Sequence, residues 1–210
     1  MIDRNLFLAK LQRPLAAALL CAGVTFALQG CVGLMVGGAV VGGLSATDRR
    51  TLGAQTEDAA IAVKGGNRIG KLVEGSHVNV NSFNRKVLLT GEVKDEQMKE
   101  AVGREAAAIE GVQSVANELE ISGQSSFTSR SNDALITTKV KASLVDNKVL
   151  YVNAFKVVTE HGVVYLMGRV TEKEGALAAE IARGVSGVQK VVKIFEYISE
   201  DELKQYTGAL

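Results

Sequence analysis

The sequence predicts an α+β protein made of two tandem copies of one αββαβ unit, each a three-stranded mixed sheet with helices packed on one face. Three observations carry this. Residues 87–93, VLLTGEV, return as VYLMGRV at 164–170, EGVQSV at 110–115 returns as SGVQKV at 186–191, and TED at 56–58 lines up with SND at 131–133, at offsets of 77, 76 and 75 residues. Matches that keep their order at nearly constant spacing mark an internal duplication. Within each copy, apolar residues fall first at helical spacing, then in two β-rich runs, then at helical spacing again, before a last β-rich run. Between the copies, SGQSSFTSRS (122–131) is polar and Ser-rich, the composition of a linker.

The first 30 residues read as a signal. Arg4, Lys10 and Arg13 against a single Asp3 form a positive leader, and PLAAALLCAGVTFAL (14–28) is apolar apart from Thr25. This run of about 15 residues is short of the roughly 20 that cross a bilayer as a helix. Cys21 lies inside the run and no cysteine follows Cys31, so a disulfide framework is excluded. Leu28-Gln29-Gly30-Cys31 resembles the lipobox of bacterial lipoproteins, which implies cleavage before Cys31 and acylation of its sulfur. The competing reading is a membrane helix from about Pro14 to Leu44. The glycines between Gly23 and Gly43 argue against it, since each costs about 1 kcal/mol relative to alanine in a helix. Residues 31–54 then form an acylated, flexible leader, in which GLMVGGAVVGG lacks the Lys-Ser/Thr of a phosphate-binding loop.

The first copy occupies 55–122. Its leading helix is interrupted by Gly65, Gly66 and Gly70, and is followed by HVNVNSF (77–83), a turn at Asn84-Arg85, KVLLTGEV (86–93), a helix from Asp95 to Ile109, Gly111, and a strand VQSVANELEI (112–121). Residues 123–130 are the linker. The second copy occupies 131–199. Asp133 is placed to cap a helix running to about Val145, with Ile136, Val140 and Leu144 as its buried stripe. FKVVTE (155–160) and VVYLMGRV (163–170) flank a two-residue hairpin turn at His161-Gly162. Thr171 and Glu174 form a capping box for a second helix, with Leu177, Ile181 and Val185 at core spacing, and Gly187 suits a left-handed helix end before VQKVVKIFEYI. Residues 200–210, opening with Glu200-Asp201-Glu202, read as a solvated acidic tail.

Paired L-x-G-x-V strands, each followed by a helix and a G-V-x-x-V strand, occur twice behind a lipobox. This arrangement resembles the BON domain family, and the whole mature chain is similar to dual-BON-domain outer-membrane lipoproteins. The resemblance implies a lipid-anchored protein on the periplasmic face of the outer membrane. It also implies support of envelope integrity, gathering at division sites, and binding of anionic, phosphatidylglycerol-like phospholipid by the second domain. Val32 after Cys31, where an acidic residue is absent, implies outer-membrane sorting by the same resemblance.

Residue chemistry separates this from other classes. Lys and Arg number 24 against 23 Asp and Glu; with three basic and one acidic residue in the signal, the mature chain carries a net charge of −1, which offers no electrostatic footprint for nucleic acid. The two histidines, His77 and His161, stand at a strand start and a hairpin turn, so a His/Cys metal site, a Cys-His nucleophile or a Ser-His-Asp triad is not expected, nor is a cofactor. The expectation is a binding protein and not an enzyme. Off the buried stripe of the second copy's leading helix lie Leu135, Thr138, Lys139, Lys141 and Ala142, a candidate phospholipid contact of one large apolar side chain, small neighbours and cations. Leu135 packing against the linker or the first domain is the bland alternative. Residues 131–199 carry +2 against −3 for 57–121, which favours the second copy for an anionic surface. The rival function is a protein-protein adaptor serving an envelope enzyme or assembly machine.

Overall fold

The computed structural model describes residues 48–207; the signal, Cys31 and most of the leader lie outside them. The first copy comprises α1 (Leu52–Leu72), β1 (His77–Phe83), β2 (Lys86–Val93), α2 (Glu96–Ala107), β3 (Ser114–Asn117) and β4 (Glu120–Ile121). The second comprises α3 (Phe127–Asp146), a short 3₁₀ turn (Val152–Ala154), β5 (Phe155–Glu160), β6 (Val163–Val170), α4 (Glu172–Arg183) and β7 (Lys190–Tyr197), and α5 (Glu200–Thr207) follows. In both, a hairpin pairs antiparallel and the last strand joins the middle one in parallel, giving a mixed sheet. β3 and β4 are one edge strand broken briefly at Glu118-Leu119, for both halves pair with β2 in the same register.

The predicted turns follow from their chemistry. Asn84 and Arg85 (φ 49° and 64°), like His161 and Gly162 (φ 48° and 72°), take the paired left-handed conformation that suits a twisted two-residue hairpin. A buried aspartate on the leading helix holds each turn. Asp58 accepts the backbone N–H of Asn84 (2.7 Å) and Arg85 (2.8 Å) and the Ser82 hydroxyl (2.6 Å). Asp133 accepts the backbone N–H of His161 (3.0 Å) and Gly162 (2.8 Å). Asp133 is therefore a turn anchor inside α3 and not its cap. The cap is Ser126, whose hydroxyl accepts Ser129 N–H (3.1 Å), so the helix begins at Phe127 and takes in half of the expected linker.

Two further expectations are corrected. α1 is unbroken through its glycines because Gly65 is a packing position: a Cβ there would lie 2.8 Å from Val80 Cγ1. On α4 the capping box forms as expected, yet the fully buried face is Ala178, Ala179 and Ala182, with Leu177, Ile181 and Val185 packed at its margin. Small residues let the helix lie close to the sheet.

Each sheet buries one face under its helices. Val87, Leu89 and Val93 are buried in the first copy where Val164, Leu166 and Val170 are buried in the second. The opposite faces bury each other: Phe83 and Leu88 of the first sheet pack with Tyr165 and Met167 of the second. The described chain is thus four layers, helices outside and two sheets within. Bonds cross the seam: Lys86 Nζ donates to the Phe195 carbonyl (3.1 Å), Asn84 Nδ2 to Glu196 (2.6 Å) and Lys156 Nζ to the Ser82 carbonyl (3.2 Å). Burial at this seam pushes the Lys156 ammonium below its usual range, with Arg50 nearby adding to the shift.

The ends of the domain pair are also structured. Arg49, expected in the flexible leader, is buried and forks onto Glu174 through Nη1 (2.8 Å) and Nη2 (2.6 Å), while Nη1 also donates to the Arg169 carbonyl (2.8 Å). Burial raises the Glu174 carboxyl, but the Arg49 hydrogen bonds and the Thr171 amide outweigh it and hold Glu174 below the ordinary range. The expected acidic tail folds as α5 because Arg169 reaches Glu202 (2.7 Å) and the Tyr206 hydroxyl (2.9 Å).

Candidate functional sites

The outward face of α3 is the first site. Ile136, Val140 and Leu144 point into the core as expected, so the opposite side of the helix faces away from both sheets. Leu135, Thr138, Lys139, Lys141 and Ala142 are all exposed there. Leu135, at 60 % exposure, is covered by neither the linker nor the first domain. The Thr138 hydroxyl is turned back onto the Ala134 carbonyl (2.9 Å), so its polarity is spent within the helix. Among the described residues, neither Lys139 nor Lys141 is held in a salt bridge.

Two apolar members of this face were missed in the sequence. Phe127 (80 % exposed) opens the helix and Val145 (59 % exposed) nearly ends it. At 100° per residue, Phe127, Ala134, Thr138, Ala142 and Val145 fall on one stripe, with Leu135 and the two lysines beside it. The stripe runs about 27 Å along the helix. Phe127 was hidden because the Ser-rich stretch around it reads as loop, although Ser126 is of a residue type that caps helices. Val145 falls where the helix was expected to end.

The second site lies at one edge of the seam. His77 and Asn79 from β1, Glu92 from β2, Glu120 from β4, Glu160 from the end of β5 and His161 from its turn converge there. His161 Nε2 stands 2.9 Å from Glu92 Oε1 and its Nδ1 2.9 Å from Glu120 Oε2. The Glu120 hydrogen bond, aided by Glu92 and Glu160, raises the His161 imidazole above its usual range against an opposing effect of burial. His77 Nδ1 faces Glu92 Oε2 at 3.4 Å and Glu160 Oε1 at 3.9 Å. Sequence spacing gave no hint of this gathering, because it requires the two sheets to dock.

Among known proteins, the family model described as BON domain matches residues 55–123 and 132–198. The chain is 39 % identical over 189 residues to outer membrane lipoprotein DolP of Haemophilus influenzae, covering 88 % of this chain and 97 % of that one. It is 34 % identical over 154 residues to the 21 kDa hemolysin of Actinobacillus pleuropneumoniae, covering 72 % and 79 % respectively. It is also 29 % identical over 122 residues to osmotically-inducible protein Y of Escherichia coli, covering 57 % and 61 %. With both αββαβ units matched and an outer-membrane lipoprotein aligned across nearly its full length, the chain belongs to the BON domain family, as a two-domain, lipid-anchored protein of the outer membrane.

Proposed function

We propose that this protein is a tethered phospholipid-binding module that supports outer-membrane integrity, at division sites among others, with the outward face of α3 as its lipid contact and Cys31 as its anchor. The reading rests chiefly on one observation: Phe127, Leu135 and Val145 are exposed on the side of α3 opposite its core stripe, with Lys139 and Lys141 beside them. Such a surface suits shallow insertion among anionic headgroups. Burying Leu135 contributes at most about 1.5–3 kcal/mol, and each lysine near the headgroups about 1 kcal/mol. The sum is a weak contact for a free domain. Acyl chains on Cys31 would keep the domain at high effective concentration by the bilayer, so that weak contact suffices. The role is binding, not catalysis.

The test is flotation of the acyl-free chain with vesicles containing phosphatidylglycerol. Leu135→Glu is expected to abolish co-flotation at unchanged Tm, because the side chain stands outside the core, and added salt is expected to weaken wild-type binding by screening the lysines. Retained flotation in Leu135→Glu would move the lipid site elsewhere and favour the adaptor reading. For the anchor, Cys31→Ala is expected to abolish labelling by a fatty-acid analogue and leave uncleaved precursor. Persistent label on that variant would place the acyl group on another residue.

A further inference from the structure

The polar cluster at the seam edge has the composition of a metal site. Glu92 is 1 % exposed, yet among the described residues neither of its carboxylate oxygens accepts a well-aligned hydrogen bond, and the Nδ1 of His77 facing it is likewise unmatched. Glu160, also buried, brings a second carboxylate to the same point. Two buried carboxylates side by side repel, and among the described residues Glu92 faces two imidazoles, His161 at 2.9 Å and His77 at 3.4 Å, an arrangement that a cation between the carboxylates resolves. One ligand atom from each of His77, Glu92 and Glu160 lies within 4.8 Å of the other two. Nitrogen and oxygen ligands at roughly 2.0–2.2 Å from a tetrahedral zinc stand about 3.3–3.6 Å apart. The distances from His77 Nδ1, 3.4 and 3.9 Å, approach that edge length.

We propose that this seam holds a divalent first-row cation of the zinc type, bound by His77 and Glu92 of the first domain and Glu160 of the second. Water completes the coordination shell. An imidazole with two carboxylates suits such ions, whereas calcium asks for six to eight oxygens and soft copper for sulfur. The surrounding groups orient the ligands as outer partners do in metal sites: Asn79 Nδ2 donates to Glu160 Oε2 (2.9 Å), and His161 bridges from the other oxygen of Glu92 to Glu120. Since the ligands come from both domains, the ion is a clamp on their docking. The expectation of no metal ligand considered histidine with cysteine; the fold instead supplies histidine with carboxylates distant in the chain.

The full chain carrying Cys21→Ser and Cys31→Ser, stripped with chelator, is to be titrated with Zn²⁺ alone by calorimetry and thermal melting. One equivalent is expected to bind and raise Tm. Glu160→Gln and His77→Ala are each expected to weaken binding by more than about tenfold, and His161→Ala by about tenfold as an outer partner. Because these variants could perturb the seam, the His77 imidazole resonances of the parent protein provide a direct reading, and they are expected to shift and saturate at one equivalent. No heat and no His77 shift would overturn the proposal. Binding at undiminished affinity in both ligand variants would overturn it equally, by placing zinc elsewhere.

Discussion

Gly91→Ala is expected to cost at least about 4 kcal/mol, enough to leave the first domain largely unfolded or close to it. Gly91 sits in β2 opposite Val78 with φ 110°, a conformation that side-chain-bearing residues rarely adopt. That strain alone costs on the order of 1–3 kcal/mol. The added Cβ would also press into the backbone carbonyl of His77, and the collision is with main chain, so no rotamer change relieves it. β1 must move away, which opens the pairing from His77↔Glu92 onward and disturbs the seam beyond it. The repeat offers an internal control. Gly168, its counterpart, lies outside the positive-φ region, and a Cβ there would stand 2.5 Å from the Ala154 carbonyl oxygen. Gly168→Ala is therefore expected to be harmful but milder. Denaturant unfolding of the two variants checks the order, and equal losses would mean that the backbone conformation at Gly91 contributes nothing.

What was legible in the sequence is what local chemistry sets. The hairpins at Asn84-Arg85 and His161-Gly162, the Thr171–Glu174 capping box and the Ile136, Val140, Leu144 stripe each depend on residues close in the chain, and each is present. The helix boundaries were less legible, since Ser126 and Asp133 are both good caps and only the tertiary structure assigns Asp133 to a turn. The docked sheets had a signal that periodicity at one face overlooks. In VVYLMGRV, Val164 and Leu166 serve one face while Tyr165 and Met167 serve the other, and a strand apolar at both parities is buried on both sides. Of the α3 face, Leu135 and the lysines could be read once the core stripe was known. Phe127 could not, because its helical state depends on a cap inside a Ser-rich segment. The seam cluster depends on domain docking and had no local signature at all.

Asp58→Ala is expected to be the more damaging of the two turn-anchor deletions, with a loss of about 3–5 kcal/mol from removing one partner of a buried ion pair. Its carboxylate collects two backbone amides, the Ser82 hydroxyl and the Arg50 guanidinium (2.8 Å), and Arg50 in turn lies over the Phe83 ring at 4.1 Å from its centre. Removal leaves those donors buried beside a turn in which Asn84 and Arg85 both hold positive φ, a conformation tolerated because the amides are captured. Asp133→Ala loses two amide contacts and, among the described residues, no ion pair, at a turn that already contains a glycine, so its loss is expected to be smaller. Acid gives a second reading of the same anchor. Burial raises the Asp58 carboxyl, but Ser82, the Arg85 amide, Arg50 and the Asn84 amide outweigh it, and its folded pKa is lowered. A lowered folded pKa means that the contribution is fully present above the unfolded carboxyl range and is lost as pH falls through the folded value. Wild-type stability should therefore drop on acidification below about pH 4, and Asp58→Asn, which cannot titrate, should show a shallower drop over the same interval. Parallel stability–pH curves for wild type and Asp58→Asn would show that the acid sensitivity comes from other carboxylates, Glu174 first among them.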